Sequence, residues 1–148
     1  MSFSFPVRVY WEDTDAGGIV FYANYLKFME RARTEWLRSL GISQQALKAQ
    51  TGGMFVVTDT QLKYLQPARL DDMLTVSAQI LEKGRASLKI SQEIRLYRPP
   101  ILRETLSNQE SLACDAPLIC QGTICIAWVD GLSLKPGRIP SSIMEKLI

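Results

Sequence analysis

The sequence predicts a single α+β domain, spanning 1–148, in which a curved antiparallel β-sheet wraps one long α-helix. Three observations predict it. A short β-prone segment near the start runs into one stretch of helical period, the later segments switch to a period of two, and short turns join most of them. A chain of 148 residues is long enough to bury a real core and short for two domains.

Val7 to Trp11 is short and β-prone and reads as the first strand. A helix follows. At about 100° per residue from Leu26, residues Tyr22, Tyr25, Met29, Ala32, Trp36, Leu37 and Leu40 share a side, with Lys27, Arg31, Thr34 and Arg38 opposite. Gly41 stands where a left-handed C-terminal cap belongs. Ser43 is placed to cap a second short helix over Gln44 to Gln50, which ends at Thr51-Gly52-Gly53.

Phe55 to Leu65 is β-rich, and Pro67 closes it. Leu74, Val76, Ala78 and Ile80 alternate with polar residues, as do Ala86, Leu88, Ile90, Ile94 and Leu96. Each strand should therefore have one buried and one wetter face. Lys83-Gly84 fits a tight hairpin between these two strands, and Ile119 to Val129 makes the last strand. The polar stretch between Tyr97 and Leu118 reads as a long hairpin loop, and Lys135 to Pro140 as a non-regular tail.

Composition excludes several function classes. The 17 basic and 15 acidic residues are spread along the chain, which disfavours a nucleic-acid or membrane-surface partner. No stretch approaches the roughly 20 apolar residues that span a bilayer, and Met-Ser-Phe-Ser-Phe-Pro lacks the features of a signal peptide. A cytoplasmic protein is expected. Cys114, Cys120 and Cys125 form no Cys-x-x-Cys pair, so they read as reduced structural thiols rather than a disulfide framework or zinc site. There is no histidine, which removes Ser-His-Asp and Cys-His chemistry and leaves carboxylates as the leading proton-transfer groups.

The carboxylates that stand out are Asp13 and Asp15, set with Gly17-Gly18 directly ahead of the long helix. A carboxylate there can act as nucleophile or base, while first-turn N–H groups and the helix dipole can hold an oxyanion. On the residues alone, an Asx-turn that shapes the glycine turn is the stronger reading for Asp15. Asp13 reads as a loop-ordering group that accepts backbone N–H bonds.

The motif Asp13-Thr-Asp15-Ala-Gly-Gly-Ile-Val-Phe-Tyr22-Ala-Asn-Tyr25 resembles the active-site segment of the 4-hydroxybenzoyl-CoA thioesterase-like hotdog-fold family. Within that family it is most similar to the Tol-Pal-associated acyl-CoA thioesterases. The similarity continues through Glu30-Arg-Ala-Arg-Thr-Glu-Trp36, Tyr64-Leu-Gln-Pro-Ala-Arg-Leu-Asp-Asp72 and Leu134-Lys-Pro. The resemblance implies a hotdog fold, an acyl-CoA substrate, no metal or redox cofactor, and coenzyme A only as part of the substrate.

It also implies that Asp15 attacks the thioester carbonyl or activates a water for the attack, and that the Tyr22 backbone N–H polarises the thioester oxygen. Gly17 and Gly18 would let the thioester approach bare backbone. Hotdog domains pair their sheets and place active sites at subunit junctions, so a homodimer or homotetramer is expected. Many Tol-Pal-associated members carry histidine where this chain has Tyr22, whereas the hydroxybenzoyl-CoA enzyme carries tyrosine, so both aliphatic and aromatic acyl groups stay open.

The phosphates of coenzyme A call for basic loop residues, and Lys83, Arg85, Lys135 and Arg138 are the candidates. Arg33 falls inside the apolar helical stripe and needs a partner, for which Glu30 is within reach. A hotdog enoyl-CoA hydratase is disfavoured, because those enzymes resemble one another in a histidine-containing dyad that this chain cannot form. A non-catalytic hotdog module that binds acyl groups or acyl carrier protein is the alternative from another class.

Overall fold

The computed structural model describes residues 3–97 and 116–147. Five strands form one antiparallel sheet in the order β1-β3-β4-β5-β2. They are β1 (Phe3–Arg8), β2 (Gly53–Tyr64), β3 (Met73–Lys83), β4 (Ser87–Leu96) and β5 (Leu118–Asp130). The long helix α1 (Asn24–Ser39) packs on one face, followed by α2 (Gln44–Thr51), and a last turn α3 (Ser141–Met144) closes the tail. The expected α+β architecture is thus present.

β1 lies four residues earlier than Val7 to Trp11, because its register is set by β3, from Phe3 opposite Ala78 to Arg8 opposite Met73. Pro6 masks the strand in the sequence. An edge strand tolerates the missing N–H, and β1 is an edge. Trp11–Asp13 is instead a single 3-10 turn.

The buried face of α1 consists of Tyr25, Phe28, Met29, Ala32, Trp36 and Leu37. It is rotated away from Leu26, which is 40% exposed, and it includes Phe28, which the stripe drawn from Leu26 omits. These side chains pack on Leu74, Val76, Leu88, Ile90, Ile94, Ile124 and Ile126 from the inner sheet face. Each fully buried side chain of this size is worth about 1.5–3 kcal/mol.

The local stops are where the residues place them. Gly41 and Gly52 adopt left-handed φ of 79° and 72°, and the Gly52 N–H donates to the Lys48 carbonyl at 2.9 Å. Ser43 is the N-cap of α2, but its side chain makes no capping hydrogen bond. The Gly84 N–H closes the β3–β4 hairpin on the Ser87 carbonyl at 2.7 Å. Register shifts at Val57/Asp59, Ile80/Glu82 and Ile94/Arg95 mark bulges that bend the strands, as a sheet curved around a helix requires.

The expected loop between Tyr97 and Leu118 falls mostly outside the described residues, as does Cys114. Its two ends are held together: the Leu96 N–H donates to the Pro117 carbonyl at 3.0 Å, and Arg95 Nη1 donates to the Ala116 carbonyl at 2.9 Å.

One polar group sits in the middle of the core. Gln92 on β4 is fully buried, and its Nε2 donates to the carbonyls of Met29 at 3.0 Å and Ser77 at 3.1 Å. Its Oε1 accepts from Arg33 Nη1 at 2.9 Å. The partner of Arg33 is therefore Gln92 rather than the expected Glu30, whose Oε1 accepts from the Thr34 hydroxyl at 2.7 Å. Burial pulls the Arg33 pKa down, and the charge of Glu30 opposes that pull without contact. A neutral acceptor suits this depth, since a second buried charge would itself need desolvation.

Candidate active site

The segment ahead of α1 folds back on itself as a narrow loop. Thr14 bridges Val20, the Asp15 N–H donates to the Ile19 carbonyl at 2.9 Å, and the Gly18 N–H donates to the Asp15 carbonyl at 3.1 Å. Gly18 closes the turn with φ of 76°, a region in which side chains are strained. A Cβ on Gly17 would stand 3.2 Å from Asp15 Oδ1, so a bare residue there leaves the carboxylate room.

The two aspartates divide as the residues suggest. Asp13 is 95% buried, being 5% exposed. Its Oδ2 accepts the Tyr10 N–H at 2.8 Å, and its carbonyl accepts the Phe21 N–H at 3.0 Å and Asn24 Nδ2 at 2.9 Å. It is a knot in the loop. Asp15 is exposed, and its Oδ1 accepts the Gly17 N–H at 2.8 Å. That is the Asx-turn, and it uses one oxygen. Among the described residues the other oxygen has no hydrogen-bond partner.

The loop is fastened to the connection between β2 and β3. The Val20 N–H donates to the Ala68 carbonyl at 2.9 Å, the Leu70 N–H donates to the Gly18 carbonyl at 3.3 Å, and Ile19 bridges Arg69. From the helix, the buried Tyr25 hydroxyl accepts the Ala68 N–H at 3.1 Å. Burial raises the Tyr25 pKa, partly opposed by this hydrogen bond, so the phenol stays neutral.

Tyr22 stands two residues before the first residue of α1, in a turn whose N-cap is Ala23. Its ring is 64% exposed and meets Phe21 at 4.8 Å and Tyr64 edge-on at 6.3 Å. The Tyr64 hydroxyl donates to the Tyr22 carbonyl at 3.1 Å, which pins the peptide. Among the described residues the Tyr22 N–H has no acceptor. It precedes the positive end of α1, where an oxyanion is stabilised by both the donor and the helix dipole.

Tyr64 and Tyr25 hold the Tyr22 peptide and the β2–β3 connection in place, and Tyr64 lies outside the loop motif. Tyr25 ends the loop motif itself, whereas the signal of Tyr64 is only that it lies in a later similar segment, 42 residues beyond Tyr22.

The four basic candidates are not brought to this loop. Lys83 and Arg85 lie at the β3–β4 hairpin, and the Ile139 N–H donates to the Arg85 carbonyl at 2.9 Å, which draws the tail with Lys135 and Arg138 to the same end of the sheet. Lys83 Nζ donates to the Leu147 carbonyl at 2.7 Å. The Asp15 loop sits at the opposite end, where β3 begins. The rise of a strand of that length separates the two ends by about 30 Å. Basic residues near the mouth were expected, and within one protomer the tertiary structure puts them elsewhere.

A cavity of about 220 Å³ opens under the β2 edge, between Glu30, Arg33 and Leu37 of α1 and Phe55 and Val57 of β2. Among the described residues, no group of three His, Cys, Asp or Glu side chains is placed to hold a metal ion, and no helix is long and apolar enough to cross a membrane.

A five-stranded antiparallel sheet wrapped on one long helix, here with a clamped Asp15-Ala-Gly-Gly loop at the helix mouth, is the hotdog class of domain. The chain belongs to the Thioesterase superfamily, whose profile matches residues 17–99. It is 41% identical over 144 residues to the acyl-CoA thioester hydrolase YbgC of Escherichia coli O6:H1, covering 97% of this chain and 94% of that protein.

It is also 39% identical over 141 residues to the acyl-CoA thioesterase YbgC of Haemophilus influenzae, covering 95% of this chain and 90% of that one. In fold it matches a mutant 4-hydroxybenzoyl-CoA thioesterase complexed with 4-hydroxybenzoyl-CoA, with a TM-score of 0.83, 19% identity and 99% of each chain covered. The fold and family expected from the Asp13 to Tyr25 motif are both found, and the thioester-hydrolase expectation agrees with the relatives' names.

Proposed function

We propose that the chain is a homo-oligomeric acyl-CoA thioesterase in which Asp15 attacks the thioester carbonyl, or activates a water that does so, while the Tyr22 N–H holds the oxyanion. One observation carries the reading. An exposed carboxylate oxygen and a backbone N–H, neither with a partner among the described residues, share one clamped loop at the positive end of α1.

Attack by the carboxylate gives a mixed anhydride that water then opens, and attack by water gives the acid directly. In both, the carbon–sulfur bond breaks and coenzyme A leaves as a thiolate, a good leaving group that needs no strong general acid. A single preorganised donor at the oxyanion is worth about 3 kcal/mol of barrier. Neither route uses a metal or redox cofactor.

Gly17 and Gly18 leave the backbone open to the thioester. The acyl group is read as small aliphatic or single-ring, the two classes that a tyrosine at position 22 leaves open. Lys83, Arg85, Lys135 and Arg138, remote from their own Asp15, fit the coenzyme A phosphates at a site on another subunit. The long β2 edge, with Val57 half exposed, supports sheet-to-sheet pairing of two copies, and a pair of such dimers makes the tetramer. Acyl-CoA is a cytoplasmic metabolite class, and the reading places the enzyme there.

The test is thiol release from a panel of aliphatic and aromatic acyl-CoAs and acyl carrier protein thioesters. Hydrolysis of small acyl-CoAs is expected, and no turnover of any thioester would leave the acyl-binding module as the better reading. Sedimentation equilibrium at micromolar concentration should give a dimer or tetramer. A clean species of 16.7 kDa would remove the shared site.

A further inference from the structure

We propose that the turn after β5, which presents Leu132 and Leu134, closes the acyl-CoA site of a second copy of this chain; the inference rests on the thioesterase reading above. The turn is built rather than loose. Asp130 Oδ1 accepts the N–H groups of Leu132 at 2.9 Å and Ser133 at 2.8 Å and the Ser133 hydroxyl at 3.1 Å. The Asp130 N–H donates to the Lys135 carbonyl at 2.9 Å, and the Gly131 N–H donates to the Gly52 carbonyl at 2.7 Å.

This fixed turn leaves Leu132 97% and Leu134 59% exposed. Leu134 also holds a φ of 59°, a left-handed conformation that is costly for a branched side chain and that Gly or Asn would adopt with less strain. Strain held by a hydrogen-bonded scaffold in order to keep two leucines in water points to a surface that covers them.

The position of the turn selects the surface. Gly53 pairs with Asp130, so the turn stands at the N-terminal end of β2, and Tyr64 with the Tyr22 platform stands at the C-terminal end. The twelve residues of β2 rise about 40 Å, so the turn cannot reach its own Asp15 loop. A two-fold axis beside an antiparallel edge strand reverses its direction, and this brings the N-terminal end of one β2 to the C-terminal end of the other.

Both chemistries match across that junction. Phe21, Tyr22 and Tyr64 are 44%, 64% and 47% exposed at one end, and the two leucines are exposed at the other. Exposed Asp15 lies on the loop fastened to the β2–β3 connection at one end, and exposed Lys135 and Arg138 follow the turn at the other. The leucines of the partner then roof the aromatic platform and shield the thioester from water.

The test is complementation between differently tagged copies. The double variant Leu132→Ser with Leu134→Ser should lose about tenfold or more in kcat/KM, the order expected when an apolar pocket wall is removed. Asp15→Asn should be inactive alone. Hetero-oligomers of the two, isolated by both tags, contain sites with an intact Asp15 and an intact partner turn, and should regain between a quarter and a half of the parent rate.

Hetero-oligomers no more active than the mean of their two parents would overturn the role in trans. So would an unchanged kcat/KM in the double variant. Activity retained by Asp15→Asn alone would instead overturn the catalytic assignment. Leu134→Gly guards against a folding artefact, since glycine suits the left-handed φ. It should fold at least as stably as the parent yet raise KM, and an unaltered KM counts against the roof.

Discussion

Replacing Asp15 by asparagine separates its turn-forming role from its proposed chemical one. Its Oδ1 holds the Gly17 N–H at 2.8 Å, and an asparagine carbonyl accepts the same bond, so the turn survives. The side chain is exposed, and the lost charge should change stability by less than about 1 kcal/mol. Chemistry is a different matter, because an amide neither attacks a thioester nor takes a proton from water at neutral pH. Loss of a general base removes about 10²–10⁴ in rate, which is about 3–5 kcal/mol of barrier. Thiol release under saturating acyl-CoA, run beside thermal unfolding of the same preparations, measures both. Asp15→Ala supplies the contrast, since it should lose the turn as well and unfold at a lower temperature than Asp15→Asn. Turnover of Asp15→Asn within tenfold of the parent, at equal stability, would refute a chemical role and leave Asp15 as the turn residue alone.

Four further outcomes are expected. Tyr22→Phe should keep turnover within a few-fold, because the proposed donor is the backbone N–H and the Tyr64 hydroxyl bonds to the Tyr22 carbonyl; an equal large loss on every acyl-CoA would give the phenol a direct part. Asp13→Ala should destabilise by about 1–3 kcal/mol, the penalty for leaving the Tyr10 N–H without its acceptor, and denaturant titration at unchanged m-value checks it. Gly53→Ala places a Cβ 2.3 Å from the Trp128 ring, so it should cost about 1–3 kcal/mol by overpacking, and parental stability would show that the ring can shift freely. Burial pushes the Cys120 thiol up to about 11 from an unfolded value of 9.0. Its neutral form is thus favoured by folding, so its contribution is complete below about pH 9 and is lost as pH rises to about 11. A Cys120→Ala variant should lack that part of the alkaline fall in stability.

Local chemistry determined what was readable along the chain. Helical and alternating periods placed α1 and the last three strands within a few residues, and Gly41 and Gly52 ended their helices because a positive φ is a property of one residue. The division between Asp13 and Asp15 was also legible, since both use hydrogen bonds inside one short loop. Pro6 hid β1, because only its place on the sheet edge excuses it, and that place comes from pairing with β3 some 70 residues away. Arg33 took Gln92 instead of Glu30, across 59 residues, since the register of β4 beneath the helix decides what a half-buried guanidinium meets. The distance from Asp15 to the basic residues and the remoteness of Leu132 from Tyr64 are consequences of strand order, which sums many weak non-local pairings and belongs to no segment alone.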